Sequence, residues 1–321
     1  MHSILKQITT LRRGNTVYGP APHKPILLLA VMESFEFGEI TDNWIEINAA
    51  LLARFYDLWN LLVKTGNTPN FSLPFYHLSH EKGGFWQLIV MPGMSIPTTK
   101  SNSIKSFNSL KSTVLAAKLS AEFYYEITDT ITRATLKQAL LNTYFPNRTV
   151  LNIETARKYS QEIEEHILYD PDENHTRLII KQFEGETIEA REELLILRSH
   201  FFRKAILEVY GKQCAVSGLK IDPIKQTLLI DACHIVPFAQ TAYDTIRNGI
   251  ALSPTFHRAF DNGLIAIDDE YRLLVHPKLN DYNPAAGIRQ YENKTIFLPK
   301  EERFYPSLQR LAEHRARFGY E

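Results

Sequence analysis

The chain lacks the features of an exported or membrane protein. Two cysteines, Cys214 and Cys233, stand among 321 residues, too few for a disulfide framework. The longest apolar run, Pro25–Met32, falls far short of the roughly 18 residues of a membrane span. The opening stretch MHSILKQITTLRRG has no apolar centre of signal-peptide type. Net charge is missing too, since 36 Lys+Arg balance 36 Asp+Glu. These absences predict a soluble, cytoplasmic protein with no membrane partner. What is present, 44% hydrophobic and 22% charged residues, is ordinary globular composition and excludes a disordered or fibrous chain. The length predicts about two domains.

The zero total hides an uneven distribution. Residues 1–148 hold 14 basic and 10 acidic side chains, residues 149–198 hold 6 and 12, and residues 199–321 hold 16 and 14. Three segments follow: 1–148, an acidic connector at 149–198, and 199–321. In the first, Pro25 suits the opening of a helix carrying Ile26–Met32. Apolar spacings of three and four predict further helices over Asn48–Leu62 and Ile131–Phe145, the last stopped by Pro146. Trp86–Val90 reads as a strand. The connector holds a charged helix at Ile153–Leu168, a turn at Asp170–Asp172, a strand at Thr176–Ile180 and Glu-rich helix at 184–198. The last segment opens with a helix over His200–Tyr210, closed by Gly211. A strand at Leu228–Ile230, the segment Asp231–Pro237, a turn and strand at Asn248–Ser253, and a short helix at Pro254–Asp261 come next.

That last run carries Asp231, His234, Asn248 and His257. Asp231 and His234 stand near one strand end, where a loop turns both toward one point, while His257 comes from the short helix. Such a set places an imidazole base beside a cation held by a carboxylate and a second imidazole. Phosphodiester hydrolysis needs those parts. Each residue alone has a plainer reading: a packed histidine, a turn asparagine before Gly249, a loop-capping aspartate. The joint spacing favours chemistry.

DACHIVPF and NGIALSPTFHRAFDNGLIAI, framed by Gly249, Phe260, Asp261 and Gly263, resemble the ββα-metal core of HNH endonucleases, especially the McrA-like, phosphorothioate-dependent restriction group. The flanks FRKAILEVYGKQCAVSG and IFLPKEERFYPSLQRLAEHRARF are similar as well, so the likeness covers about residues 198–318. It implies His234 as general base, Asn248 as the side chain orienting its loop, and His257 as a ligand of a divalent cation, Mg2+ or Mn2+. Asp231 is taken as the second ligand. Cys233 departs from relatives with an acidic residue directly before the histidine. Cys214 and Ser217 stand where some relatives have a zinc-binding cysteine pair. One thiol cannot supply such a site, and packing is the expected role of both cysteines.

Tyr18–Leu29, Leu73–Leu78, Gly84–Trp86 and Leu136–Pro146 resemble the sulfur-binding domain of the same restriction group, over about residues 3–148. The resemblance implies double-stranded, phosphorothioate-modified DNA as partner. Sulfur is larger, more polarizable and less hydrated than phosphate oxygen, so an apolar dent admits it and penalises oxygen. Leu73, Pro74 and Phe75 are expected at that dent, with Arg12, Arg13, His23 and Lys24 on the DNA backbone. Leu73 and Lys24 depart from an aromatic residue and an arginine usual there.

The expected architecture is α+β: an α/β sulfur-binding-like domain, a helical connector and a ββα-metal HNH domain. The expected activity is type IV-like restriction in antiviral defence. A homodimer would cut both strands. The alternatives are an HNH enzyme acting on otherwise modified or plain DNA, and a non-catalytic DNA-binding module.

Overall fold

A computed structural model of the chain describes residues 2–96, 104–146, 158–169, 187–221, 229–238, 244–283 and 286–320. The turn expected at Asp170–Asp172, the strand at Thr176–Ile180 and Leu228 lie outside them. Two compact units make up the chain: Met1–Gln161 with Gly185–Leu197, and Glu162–Glu184 with Arg198–Glu321. Residues of the expected connector fall to both.

The first unit holds α1 (His2–Thr9), β1 (Asn15–Thr16), β2 (Gly19–Pro20), α2 (His23–Glu36), β3 (Trp44–Glu46), α3 (Ala49–Leu62), α4 (Ser72–His77), β4 (Trp86–Val90), α5 (Phe107–Thr113), β5 (Val114–Leu119), α6 (Ala121–Thr128) and α7 (Thr130–Tyr144). Helix α2 is apolar on every side, which demands enclosure. Every residue from Pro25 to Phe35 is buried, and α2 packs on α3, α4, α6 and α7. The helix starts at His23 rather than Pro25. Pro25 still lies in the first turn, where its missing N–H removes no intrahelical bond. Helix α3 begins where Asn48 Oδ1 accepts the Leu51 N–H at 2.9 Å, a side-chain cap. Asp129 Oδ1 does the same for α7 through Thr132 N at 2.8 Å. Strand β5 lies between β3 and β4, antiparallel to both. Its Ala116 and Ala117 are buried, so the middle of this small sheet is lined by short side chains.

Helix α8 (Lys158–Tyr169) follows, and α9 (Ile188–Val209) contributes residues to each unit. The second unit continues with β6 (Asp231–His234), β7 (Gly249–Leu252), α10 (Pro254–Asp261), β8 (Ile265–Ile267), β9 (Leu273–Val275) and α11 (Leu308–Phe318). The strand expected at Leu228–Ile230 is instead β6, beginning at Asp231. Its ladder with β7 runs from Asp231 opposite Leu252 to His234 opposite Gly249, while Ile230 O accepts from Arg203 Nη2 at 3.0 Å. Helix α10 packs on both strands, with Phe256, Ala259 and Phe260 buried. The result is a strand–strand–helix unit.

Gly249 is required by a close approach. A Cβ there would run into Ile206 and come within 2.8 Å of Phe202 Cζ. Arg198 and Asp244, both about 2% exposed, form a two-pronged pair, Nε–Oδ2 at 2.7 Å and Nη2–Oδ1 at 2.9 Å. It ties α9 to the chain just before β7. Among the described residues no helix is long and apolar enough to cross a membrane.

Candidate functional site

His234 ends β6. Its ring lies flat on Phe202, with centroids 4.0 Å apart and planes 5° from parallel. Nε2 is buried without a hydrogen-bond partner, although the residue as a whole is half-buried. Burial pushes its pKa down to about 4, against the opposing pull of Asp244. The imidazole is therefore neutral near pH 7 and able to accept a proton.

Asn248 is fully buried and grips the loop after His234. Its Oδ1 accepts from Val236 N at 3.0 Å, and its Nδ2 donates to Val236 O at 2.9 Å. Ile235 N donates to Asn248 O at 2.9 Å. Three bonds thus fix the two residues following His234.

Asp231 and Cys233 alternate with Ala232 and His234 along β6, so they share one side of the strand. His257 on α10 meets them. Its Nδ1 stands 3.5 Å from Asp231 Oδ2, and its Nε2 stands 3.4 Å from Asp261 Oδ2. Asp231 is also held by Arg203 Nη1 at 3.1 Å. Cys233 is completely enclosed, and its thiol donates to Asp261 Oδ1 at 3.7 Å. Donor atoms of Cys233, His257 and Asp261 all lie within 4.8 Å of one another. This imidazole, carboxylate and thiol set fits a divalent cation chemically.

The sequence reading missed Cys233 and Asp261 as candidate ligands. The signals were there: Asp261 is four residues after His257 on a helix, hence on the same face, and Cys233 is two after Asp231 on a strand. Cys214 differs, since its sulfur accepts backbone N–H groups of Ser217 at 3.5 Å and Ser253 at 3.3 Å.

In the first unit, Arg12, Arg13, His23, Lys24, Leu73 and Pro74 line one cavity of about 480 Å3, and His77 joins them. Phe75 does not. It has no exposed surface, packs on Phe71 and Trp86, and its carbonyl accepts from Trp86 Nε1 at 2.9 Å. The expectation that it contacts DNA is corrected: on α4 it points into the core while Leu73 and Pro74 reach the cavity. Glu193 anchors the start of α4, accepting from Phe71 N at 3.0 Å and Tyr56 Oη at 2.9 Å. Burial pushes its carboxyl up to about 7.

Lys24 spends its charge inside the protein. Its ammonium pairs with buried Glu81 and donates to Arg12 O at 3.0 Å. Glu81 also accepts from Arg12 N at 3.2 Å, which pins the arginine loop. Arg12 is exposed, and Arg13 lies over the Tyr144 ring, 4.7 Å from its centroid. His23 donates from Nε2 to Thr68 O at 3.1 Å and packs on Trp59. Burial lowers its pKa to about 4, so it offers hydrogen bonding rather than charge.

A strand–strand–helix unit with a neutral buried imidazole, an asparagine-clamped loop and a helix-borne histidine defines the class: an HNH nuclease domain. The comparisons agree and go further. Residues 214–268 match the HNH endonuclease family, and residues 1–153 match the ScoMcrA-like DNA sulfur-binding domain. The chain thus carries an HNH endonuclease domain behind a ScoMcrA-like DNA sulfur-binding domain.

Three solved structures are similar at low identity. The sulfur-binding domain of ScoMcrA complexed with phosphorothioated DNA is 18% identical over 48% of this chain and 95% of that one, TM-score 0.37. The type IV phosphorothioation-dependent restriction endonuclease ScoMcrA is 11% identical over 79% and 93%, TM-score 0.37. The modification-dependent TagI restriction endonuclease is 20% identical over 36% of each chain, TM-score 0.27. No curated protein matches the chain.

Proposed function

We propose that the chain is a metal-dependent endonuclease that recognises phosphorothioate-modified DNA and hydrolyses its phosphodiester bonds in restriction of foreign or marked DNA. The observation that carries this reading is the pairing, in one chain, of a neutral His234 that follows a candidate cation ligand, Cys233, in sequence and a cavity lined by Arg12, Arg13, Leu73 and Pro74.

His234 takes the proton of a water molecule as its oxygen attacks phosphorus. Nδ1 is the acceptor, because Nε2 is buried. Asn248 keeps the following loop, and with it the imidazole, in one orientation. Phe202 stacking removes the other freedom of the ring. His257 would hold a divalent cation, which when bound would supply Lewis-acid stabilisation of the charge developing on the phosphate. The phosphorus–O3′ bond breaks, leaving 3′-hydroxyl and 5′-phosphate ends. In the first unit, Leu73 and Pro74 receive the sulfur while Arg12 and Arg13 hold flanking phosphates. One such site cuts one strand, so a homodimer accounts for double-strand breaks. A DNA-restricting enzyme of this kind acts in the cytoplasm.

The test is incubation with two plasmids of one sequence, one phosphorothioated and one plain, with divalent cation present. Cutting confined to the sulfur-containing plasmid is expected, and equal cutting of both overturns the sulfur assignment. His234→Ala should lower cutting by about a hundredfold or more. Unchanged cutting removes His234 as base.

A further inference from the structure

Resting on the nuclease reading above, we propose that Cys233 is a cation ligand together with His257 Nε2 and Asp261, and that this thiol tunes the site toward borderline ions such as Zn2+ or Co2+ rather than Mg2+. Asp231 becomes a positioning residue.

The two nitrogens of His257 face different carboxylates. Asp231 faces Nδ1 at 3.5 Å, and Asp261 faces Nε2 at 3.4 Å. An imidazole ligates through one nitrogen and steadies itself through the other. The three donors that converge within 4.8 Å are Cys233, His257 and Asp261, which puts the cation on the Nε2 side. Nδ1–H then donates to Asp231, whose second oxygen is fixed by Arg203 at 3.1 Å. This chain of Arg203, Asp231 and His257 is the carboxylate–histidine arrangement that orients a metal-binding imidazole.

Packing alone does not explain Cys233. Cys214, equally buried, faces two backbone N–H groups, whereas Cys233, besides the His234 carbonyl at 3.5 Å, faces a carboxylate at 3.7 Å that also meets an imidazole. That carboxylate side chain is 55% exposed, so the cluster opens to solvent on one side. Mg2+ demands an oxygen octahedron and keeps its waters. Thiolate with imidazole and one carboxylate suits Zn2+ or Co2+. Binding exchanges the thiol proton for the cation, which neutralises the sulfur's charge.

Co2+ titration of the full-length chain, followed by absorption, tests this. A near-ultraviolet thiolate-to-cobalt charge-transfer band should appear, persist in Cys214→Ser and vanish in Cys233→Ser. Cys233→Asp, which restores an oxygen donor, should bind Co2+ without any such band, and covers the case in which the serine variant fails to fold. Asp231→Asn should keep the band while Co2+ affinity falls about 10–100-fold. Zn2+ should displace Co2+ far more effectively than Mg2+ does. Cobalt bound without the band, a band lost in Cys214→Ser, no cobalt bound at all, or Mg2+ displacing as well as Zn2+ overturns the proposal. The two readings fail separately. Cleavage with Mg2+ and no band defeats the thiol ligand alone. A band with no cleavage under Mg2+, Mn2+, Co2+ or Zn2+ defeats the nuclease reading alone.

Discussion

Replacing Asn248 by alanine should release the loop that holds His234. The wild-type amide satisfies both the N–H and the C=O of Val236, at 3.0 and 2.9 Å, in a place where Val236 is 8% exposed. Leaving a buried polar group unpaired costs about 1–3 kcal/mol, so two such groups amount to about 2–6 kcal/mol. Water entering the space vacated by the side chain brings the cost toward the lower end, about 2–3 kcal/mol. Against a domain stability of about 5–15 kcal/mol, the variant stays folded but loosens at this loop first. Amide hydrogen exchange reads this directly: Val236 and Ile235 should lose protection in Asn248→Ala while the β8–β9 pair keeps its own. Asn248→Asp is sharper still, because an ionised carboxylate accepts from Val236 N but repels Val236 O. Protonation restores a donor, so its deficit should shrink as pH falls. If Asn248→Ala leaves Val236 exchange and the urea midpoint unchanged, the clamp is not what orients the base.

Three further outcomes follow from packing and charge. Gly249→Ala should destabilise the second unit by about 1–3 kcal/mol and lower cleavage as well, since the clash is with Phe202 and Ile206 and Phe202 carries the His234 ring; urea melts with a parallel cleavage assay check it. Asp244→Ala removes the two-pronged carboxylate partner of the buried Arg198 guanidinium and should cost about 3 kcal/mol, measurable as a lowered thermal midpoint. His314, 2% exposed and stacked on Phe260, has its pKa lowered by burial from 6.5 to about 4. The unfolded chain therefore binds the extra proton first. Its contribution is fully present above pH 6.5 and is lost progressively as pH falls to 4, about 3 kcal/mol in all. His314→Phe should make that part of the stability–pH curve shallower, while His234 in the same unit keeps its own share; an unchanged curve refutes the assignment.

Much of this was legible because local rules and tertiary packing agree. Helix α3, expected over Asn48–Leu62, runs from Ala49 to Leu62, Trp86–Val90 is β4, and Pro254–Asp261 is α10, each close to where periodicity and composition place it. Around His234, the sequence displayed the right residue types, but which atoms meet depends on register. A shift of the strand from Leu228–Ile230 to Asp231–His234 is what puts Cys233 on the same side as Asp231. Phe75 misled for a related reason. In a helix, neighbours one apart point about 100° away from each other, so a contact at Pro74 says nothing about Phe75. The Lys24–Glu81 pair was invisible because its partners are far apart in sequence and meet only after folding.

Selective restriction requires the first unit to tell sulfur from oxygen on one phosphate. The direct measurement is equilibrium binding of the His234→Ala chain, without cutting, to two short duplexes identical except for a single phosphorothioate. Tighter binding to the sulfur duplex by about tenfold or more, equivalent to about 1.4 kcal/mol, with the difference reduced in Leu73→Ala, is the predicted result. Equal binding to the two duplexes contradicts it.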